Sequence, residues 1–461
     1  MQTSQAVEIG LKRDLGLWGA ASIVVGTVIG SGIFLVPATM IQNVGSTWML
    51  FVVWITGGLL SLFGALSYAE LAAALPEAGG EYVYLREAYG PLWGFLYGWT
   101  QMWVAKSGSI ATLATGFFIY LTNFRPELAG VWMTIPFPLG EAGQPLEIHY
   151  GQLLAMAVIG LLAVVNYFGV KVGGNVQIIV TVIKVGLIGS IIVIGLTSGR
   201  GSLTHFNQAT QAIGGGAGFF AALVAALWAY DGWNNVSMVS SEIENPQRNL
   251  PLALILGTLG VVAIYLLTNI AYFYVLSPAE VAASPRVAGE MMRRVLGEWG
   301  AGAVSVAAMI SILAALNGSI LSGSRVPYAM ARDRRFFASV ARVHPIHRTP
   351  SVSILLLSAW AALLVLSGRY DQLYTYVIFA SAILYGMATA SVIVLRRKRP
   401  DLVRPYRTLA YPWVPLSFVV AISCLVASTL FKSPRESLMG LGLILLGLPF
   451  YFYWKRQETS Q

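Results

Sequence analysis

The chain has 461 residues, of which 56% are hydrophobic and only 11% charged, and its mean hydropathy is +0.69. A soluble domain of this size carries roughly a quarter charged residues, so a water-soluble fold is excluded and lipid is the solvent for most of the chain. The net charge of +9 would suggest nucleic acid on a soluble protein, but here Lys and Arg sit in short loops beside apolar runs, where the preference for basic residues on the cytoplasmic side accounts for them.

Residues 1–14 are polar, and no small-residue cleavage site follows the first apolar run. They read as a cytoplasmic tail and not as a removable signal peptide. Apolar stretches of ~20 residues cross a ~30 Å hydrocarbon core as helices, with every backbone polar group satisfied internally. Windows of this kind predict an all-α membrane protein with twelve transmembrane helices, at 15–44, 47–74, 92–122, 151–171, 176–197, 215–243, 251–275, 299–325, 351–367, 372–395, 410–431 and 437–454, and a second cytoplasmic tail at 455–461. Two loops are rich in basic residues: one holds Arg325, Arg332, Arg334, Arg335, Arg342 and Arg348, the other Arg396, Arg397, Lys398, Arg399, Arg404 and Arg407. Both follow even-numbered spans, which puts both termini on the cytoplasmic side of the cell membrane. The single cysteine, Cys424, lies mid-span, so an internal disulfide and a cysteine metal site are excluded.

Two connecting segments carry a pattern of their own. Pro76–Pro91 is amphipathic and is expected to lie along the cytoplasmic surface. Ser277–Gly297 reads either as a short outer helix or pair of helices over an extracellular vestibule, or as a solvated loop.

The first span, AASIVVGTVIGSGIFLVPATM, contains Gly26, Thr27, Gly30, Ser31 and Gly32. Glycine weakens a helix by ~1 kcal/mol relative to alanine, which favours unwinding here; Gly26 and Gly30 also fit the spacing of a close helix-packing surface. The sixth span has a matching interruption at Trp228, Tyr230, Asp231, Gly232, Trp233, Asn234 and Asn235. An acid inside a span costs at least ~2.5–3.5 kcal/mol on insertion scales, so Asp231 is expected to face a cavity. If spans one to five (15–197) and six to ten (215–395) are repeats, with 410–454 added, the two breaks occupy corresponding places, the pattern of a carrier with a midplane site. Unwinding exposes amide groups at the positive end of the second half-helix, suited to a carboxylate. The carbonyls ending the first half-helices suit an ammonium. Together these groups form a receptor for an α-amino acid zwitterion.

At these residues the chain resembles the L-type amino-acid transporter branch of the amino acid–polyamine–organocation superfamily. The shared segments are VVGTVIGSGIF, SYAELAAALPEAGGEYVYLREAYG, LWAYDGWN, EIENPQRNLPLA and ALNGSILSGSR. The resemblance implies a leucine-transporter-type 5+5 inverted repeat with the first and sixth helices unwound, plus two extra C-terminal helices. It also implies a substrate carboxylate around Ser31, Gly32 and Ile33, an α-ammonium at backbone carbonyls near Val28, Trp228 and Asp231 with Gly232 beside them, and Trp228 as the bulky residue closing the site toward the outside. Eukaryotic relatives join a heavy chain through a cysteine in the outer loop; Thr122–Tyr150 contains none, so no disulfide-linked partner is expected and the short tails fit a bacterial stand-alone carrier.

Lys184 sits too deep in the fifth span to snorkel to an interface. It is either a packing residue or, as the resemblance implies, a fixed ammonium where sodium-coupled relatives hold a cation, tying the fifth helix to the unwound segment near Gly30. Lys106 in the third span is a further candidate. Asn234 and Asn317 either line the path or hydrogen-bond across the bundle, and Glu70 is expected to pair with a loop arginine. No Walker-type phosphate loop is present, and the histidines His149, His205, His344 and His347 fall in loops without a metal-ligand cluster. Enzyme function and a cofactor are therefore not expected. The leading expectation is sodium-independent exchange of small neutral L-amino acids such as alanine, serine and threonine by alternating access. The alternative is a proton-coupled or facilitative carrier, which Asp231 would allow to take cationic substrates. A channel would need a ring of filter groups that two lone breaks do not provide.

Overall fold

The computed structural model describes residues 11–136, 145–366, 370–432 and 434–459; residues 1–10 and 460–461 of the two expected tails lie outside the described residues. Among the described residues, ten helices are long and apolar enough to cross a membrane, and two shorter apolar helices, Gly215–Tyr230 and Ser351–Val365, accompany them.

The first expected span is two helices, α1 (Leu17–Val28) and α2 (Gly32–Val44), with the break at Ile29–Ser31. The second is one unbroken helix, α3 (Thr47–Ala74). After it the chain turns through Gly79 and Gly80 into α4 (Glu81–Tyr89) and then α5 (Pro91–Thr100), a π-turn at Gln101–Ala105 and α6 (Lys106–Leu121). The fourth and fifth spans are α7 (Tyr150–Tyr167) and α8 (Val170–Thr197). The sixth is again divided, into α9 (Gly218–Tyr230) and the short α10 (Asn235–Met238). Then come α11 (Pro246–Val275), the outer helices α12 (Pro278–Ala283) and α13 (Val287–Leu296), α14 (Glu298–Gly323) and α15 (Arg325–Arg332). The rest is α16 (Ser351–Val365), α17 (Tyr370–Lys398), α18 (Trp413–Lys432), α19 (Pro434–Leu445) and α20 (Gly447–Thr459).

One expectation is corrected. The segment from Pro76 to Pro91 does not lie along a surface: Glu81, Tyr82, Val83, Tyr84, Leu85 and Ala88 are buried, because α4 packs under α17 and its Tyr82 hydroxyl and Arg86 guanidinium bond to Asp333 at 2.8 and 2.6 Å. An amphipathic pattern reveals an apolar face but not what covers it. In the outer loop after α6, Val131–Ile135 (β1) and Leu146–His149 (β2) form an antiparallel pair, as their branched and aromatic residues favour. The twelfth expected span coincides with the long apolar helix Ser437–Gln457, which has a one-residue turn at Leu446 between α19 and α20. Segment 277–297 is the pair of helices α12 and α13, and Ser277 with Glu280 forms a capping box at the first of them.

Position follows polarity. In Leu17–Val44, 89% of the most apolar stretch is buried within the protein, against 22% in Trp413–Phe431, so the broken helices are the axis and α18 is rim. Rim helices turn residues such as Ile179, Val182 and Val420 outward, the surface a hydrocarbon solvent requires. Around α1 and α2 stand α8, α9, α11 and α14. At one end of this axis the approach chain is sealed: Asp14 and Leu15 donate from their amides to Glu242 O at 3.1 and 3.0 Å, and Glu244 N returns to Leu15 O at 2.8 Å. Directly beside this seal Arg325 grips Glu242 bidentately, Nε to Oε1 at 2.7 Å and Nη2 to Oε2 at 3.0 Å, with side-chain exposures of 1% and 0%. Glu70 is likewise held by Arg396, at 2.9 and 2.6 Å, and by the Thr408 amide at 2.7 Å, with Arg404 near.

An acid stripped of its buried partner keeps its desolvation cost, about 3–5 kcal/mol. Arg325→Leu is therefore expected to lower the melting temperature of the purified protein sharply, and adding Glu242→Met to recover most of the loss, measured by detergent thermal unfolding.

Candidate functional site

The two breaks face each other across the axis. At the first, α1 ends when Ile29 leaves helical geometry (φ −74°, ψ 84°), and Ser31 sets the start of α2. At the second, α9 ends when Asp231 turns extended (φ −60°, ψ 144°), and Gly232 follows at φ +104°, a conformation that side chains disfavour. The gap is bridged by Thr27, whose hydroxyl lies 2.9 Å from Gly232 O and 2.6 Å from Ile23 O. The helices beyond approach even more closely: a Cβ built on Gly32 would stand 2.6 Å from Ala229 Cα. Only glycine permits that contact.

A small cavity opens between the breaks. The first break contributes Thr27, Val28, Gly30, Ser31 and Gly32, and the second Trp228, Asp231, Gly232 and Asn235. Ser109 and Leu113 of α6 and Ser319 of α14 complete the wall. Trp228 is 5% exposed. Ser31 and Gly32 at the start of α2 line the cavity, and the start of a helix is the positive end of its dipole, which is chemistry for a carboxylate. The carbonyls ending α1 and α9 are chemistry for an ammonium, though they already accept hydrogen bonds. The Tyr265 hydroxyl of α11 stands 2.8 Å from both Val28 O and Ala229 O, and Asp231 N donates to Trp228 O at 3.1 Å. Val28 O accepts from the Gly30 amide as well, at 2.8 Å, so an ammonium at this carbonyl would compete with hydrogen bonds already made. Asp231 accepts from the Tyr385 hydroxyl at 3.2 Å.

Lys184 is fully buried and donates to three carbonyls: Gly26 at 2.8 Å, Ile29 at 2.7 Å and Ser311 at 2.9 Å. Its three N–H donors are thus all used. Two of the acceptors belong to the C-terminal end of α1, where the dipole is negative and a cation is favoured. Ser311 also donates its hydroxyl to Ile29 O at 3.0 Å, so α8, α14 and the first break meet at one charge.

Of the residues singled out in the sequence, the cavity gathers Val28, Gly30, Ser31, Gly32, Trp228, Asp231, Gly232 and Thr27. Ile33 is buried in the core behind it. Asn317 stands apart, taking a hydrogen bond from Asn166 at 2.8 Å and giving one to Gln177 at 3.3 Å, a bridge across α7, α8 and α14. Lys106 does not line the cavity; its ammonium donates to Asn235 Oδ1 at 2.6 Å. Asn234 turns away to Glu81. Sequence reasoning missed Ser109, Ser319 and Tyr265. Small hydroxyl residues and tyrosines are common in apolar helices, and no local signal separates these from their neighbours. The π-turn at Gln101–Ala105, which shifts Lys106 toward Asn235, is a distortion often found at functional sites. Among the described residues no group of three or more His, Cys, Asp or Glu side chains could hold a metal ion.

The amino acid permease family matches the chain over residues 15–443. The protein is a member of that family, within the amino acid–polyamine–organocation superfamily. The permease is similar to the serine/threonine exchanger SteT of Bacillus subtilis (strain 168), at 34% identity over 98% of this chain and 99% of that one. It is also similar to the human b(0,+)-type amino acid transporter 1, at 32% over 98% and 90%, and to the human cystine/glutamate transporter, at 30% over 96% and 86%. It is thus a multi-pass membrane transporter of amino acids and not an enzyme.

The contact of Gly32 with Ala229 gives a sharp expectation. Gly32→Ala should reduce amino-acid uptake by an order of magnitude or more. Gly30→Ala, whose added carbon would meet the ends of the Leu113 and Ala315 side chains at 3.0 and 3.3 Å and no backbone closer than 3.9 Å, should cost far less; transport assays at matched expression compare them.

Proposed function

We propose that this permease is a sodium-independent exchanger of L-amino acids that works by alternating access and takes small neutral substrates such as alanine, serine and threonine. The observation that carries the first part is Lys184. Its ammonium satisfies the carbonyls of Gly26, Ile29 and Ser311, so the oxygens a coupling cation would need are already bound to a fixed charge. Substrate binding at the neighbouring backbone, around Ser31, Gly32 and the Val28 and Trp228 carbonyls, then acts on a segment that Lys184 ties to α8 and α14.

Substrate size is argued from the walls. Ser31, Ser109, Ser319 and Thr27 are small and hydroxylic, while Trp228 and Leu113 limit the remaining volume. That combination favours a short side chain with or without a hydroxyl, in keeping with the name of the Bacillus relative. A second reading rests on Asp231, whose carboxylate borders the cavity and would attract a basic side chain.

On this reading the ten long spans and the two shorter apolar helices make twelve crossings, arranged as two five-helix repeats of opposite orientation with two helices added. Arg332, Arg334, Arg335, Arg397 and Arg399 lie at one end of the bundle, which we assign to the cytoplasm together with both termini. The outer loop between α6 and α7 has no cysteine, and we propose that the permease works in the plasma membrane without a disulfide-linked partner.

Proteoliposomes test these points. Labelled alanine or serine should enter only vesicles preloaded with unlabelled amino acid, and equally well with or without sodium. Accumulation in empty vesicles under a pH gradient would instead establish the proton-coupled alternative. In a competition panel, alanine, serine and threonine should displace label; arginine or lysine competing as well as alanine would overturn the neutral preference and make Asp231 a side-chain contact. Lys184→Ala leaves three carbonyls without their donor and should cut exchange at least about tenfold, the equivalent of about 1.4 kcal/mol, in a protein that still elutes as a single species.

A further inference from the structure

We propose that Glu81 is a proton-binding residue of the inner gate: in its neutral form the carboxyl forms a two-hydrogen-bond pair with Asn234 that holds the gate closed, and loss of the proton to the inner solution loosens that pair. The proposal deepens the transport reading given above and rests on its assignment of the cytoplasmic side.

The geometry begins with the turn before α4. Gly79 donates from its amide to Met238 O at 2.9 Å, and a Cβ at Gly80 would lie 2.9 Å from the Ser237 carbonyl carbon. The start of α4 is therefore seated on α10, the half of the sixth span beyond the break. Glu81, the first residue of α4, is fully buried there. Asn234, inside the break, donates its amide nitrogen to Glu81 Oε1. The other two oxygens of this pair, Glu81 Oε2 and Asn234 Oδ1, are both buried and both without a hydrogen-bond partner among the described residues. Two acceptors cannot satisfy each other. One proton on Oε2 turns the acid into a donor for Oδ1, closes a ring of two hydrogen bonds, and removes both deficits at once.

Among the described residues no guanidinium pairs with this acid. Glu242 and Glu70 are held by Arg325 and Arg396, whereas the groups facing Glu81 are Tyr68 from α3, Tyr84 from its own helix, Tyr97 from α5, Lys106 from α6 and Tyr385 from α17. The tyrosines are phenols and carry no charge at neutral pH. Lys106 is committed to Asn235 Oδ1 at 2.6 Å, and the Tyr97 hydroxyl beside the carboxyl makes no well-formed hydrogen bond. Burial pushes the Glu81 carboxyl up to about 7, against the smaller lowering effects of Asn234, Tyr97 and Lys106. An opened gate would return it to the ordinary value of about 4.3. The closed state thus binds the proton more tightly: its advantage is full below about 4.3, is lost as pH rises toward 7, and changes no further above that.

The test uses the whole protein in two assays. In counterflow with vesicles of set internal pH, the rate should rise several-fold between pH 5 and 7 and level off above, while Glu81→Gln, whose amide reproduces the neutral pairing at every pH, should give a flat profile near the low-pH wild-type rate. A readout independent of exchange is thiol labelling of Ser240→Cys in a Cys424→Ser background, in detergent. Ser240 is fully buried at the end of α10, so labelling reports opening. The ratio of labelling rates with Glu81 and with Glu81→Gln cancels the thiol's own titration and should climb from near one at pH 5 to several-fold at pH 7.5. A constant ratio, or an unchanged rising profile in Glu81→Gln, overturns the proposal. Absence of counterflow at every pH overturns the exchange reading instead, and the labelling ratio still decides the role of Glu81.

Discussion

Everything in this permease hangs on the contact of two interrupted helices at their interruptions. Gly32 meets the Ala229 backbone at a distance no side chain allows, and Thr27 reaches across to Gly232 O. A continuous helix hides its amides and carbonyls from any ligand. Breaking two helices at the same depth frees both kinds of group, and pressing the breaks together makes them converge on one small cavity. The cost is a set of buried polar groups in the middle of the bundle. The surrounding elements exist largely to answer them: Tyr265 for the carbonyls of Val28 and Ala229, Lys184 for those of Gly26 and Ile29, Ser311 for Ile29 again.

The buried charges fall into two groups with different consequences. Glu242 with Arg325 and Glu70 with Arg396 are full ion pairs, each joining segments that lie far apart in the chain. Separating such a pair without water strands both ions, so these contacts part only when solvent enters the seal. Lys184 and Lys106 are answered by carbonyls and a side-chain amide instead. Dipoles hold a charge less tightly than a counter-ion does and can be exchanged for water or substrate groups more readily. The second group surrounds the cavity, and the first closes the end of the bundle. That distribution matches a machine whose centre must rearrange at every turnover and whose seal must open as a unit.

How much of this the sequence carries depends on whether a residue is out of place locally. Gly30, Gly32, Asp231 and Lys184 stand out because lipid-embedded helices tolerate such residues only for a reason, and the breaks and the cavity wall are found where they point. The partners of these residues do not stand out. Ser311 and Tyr265 are ordinary members of apolar helices, and their value lies in where α14 and α11 cross α1. The segment from Glu81 to Tyr89 shows the reverse failure. Its alternating polar and apolar residues suggest a surface helix, but the apolar face is covered by α17 and the acid at its start is covered as well. Local pattern gives the face and leaves the neighbour to tertiary structure.

A receptor built from backbone explains how one frame can serve relatives whose names carry different substrates. Under the proposed function the amides of α2 and the carbonyls of α1 and α9 recognise what every α-amino acid shares, and no side-chain substitution removes them. Discrimination is left to the few side chains that reach the rest of the cavity: Trp228 and Leu113 by volume, Ser109, Ser319 and Asn235 by hydrogen bonding, Asp231 by charge. A missing methylene changes binding by only about 1–3 kcal/mol, whereas an unanswered polar group rejects a substrate far more strongly. The charge at Asp231 is therefore the largest single lever on specificity in this site. It is already partly spent, because the Tyr385 hydroxyl donates to it. A basic side chain would have to outbid that hydrogen bond from within a cavity whose walls leave little room, and a short neutral side chain need not disturb it at all.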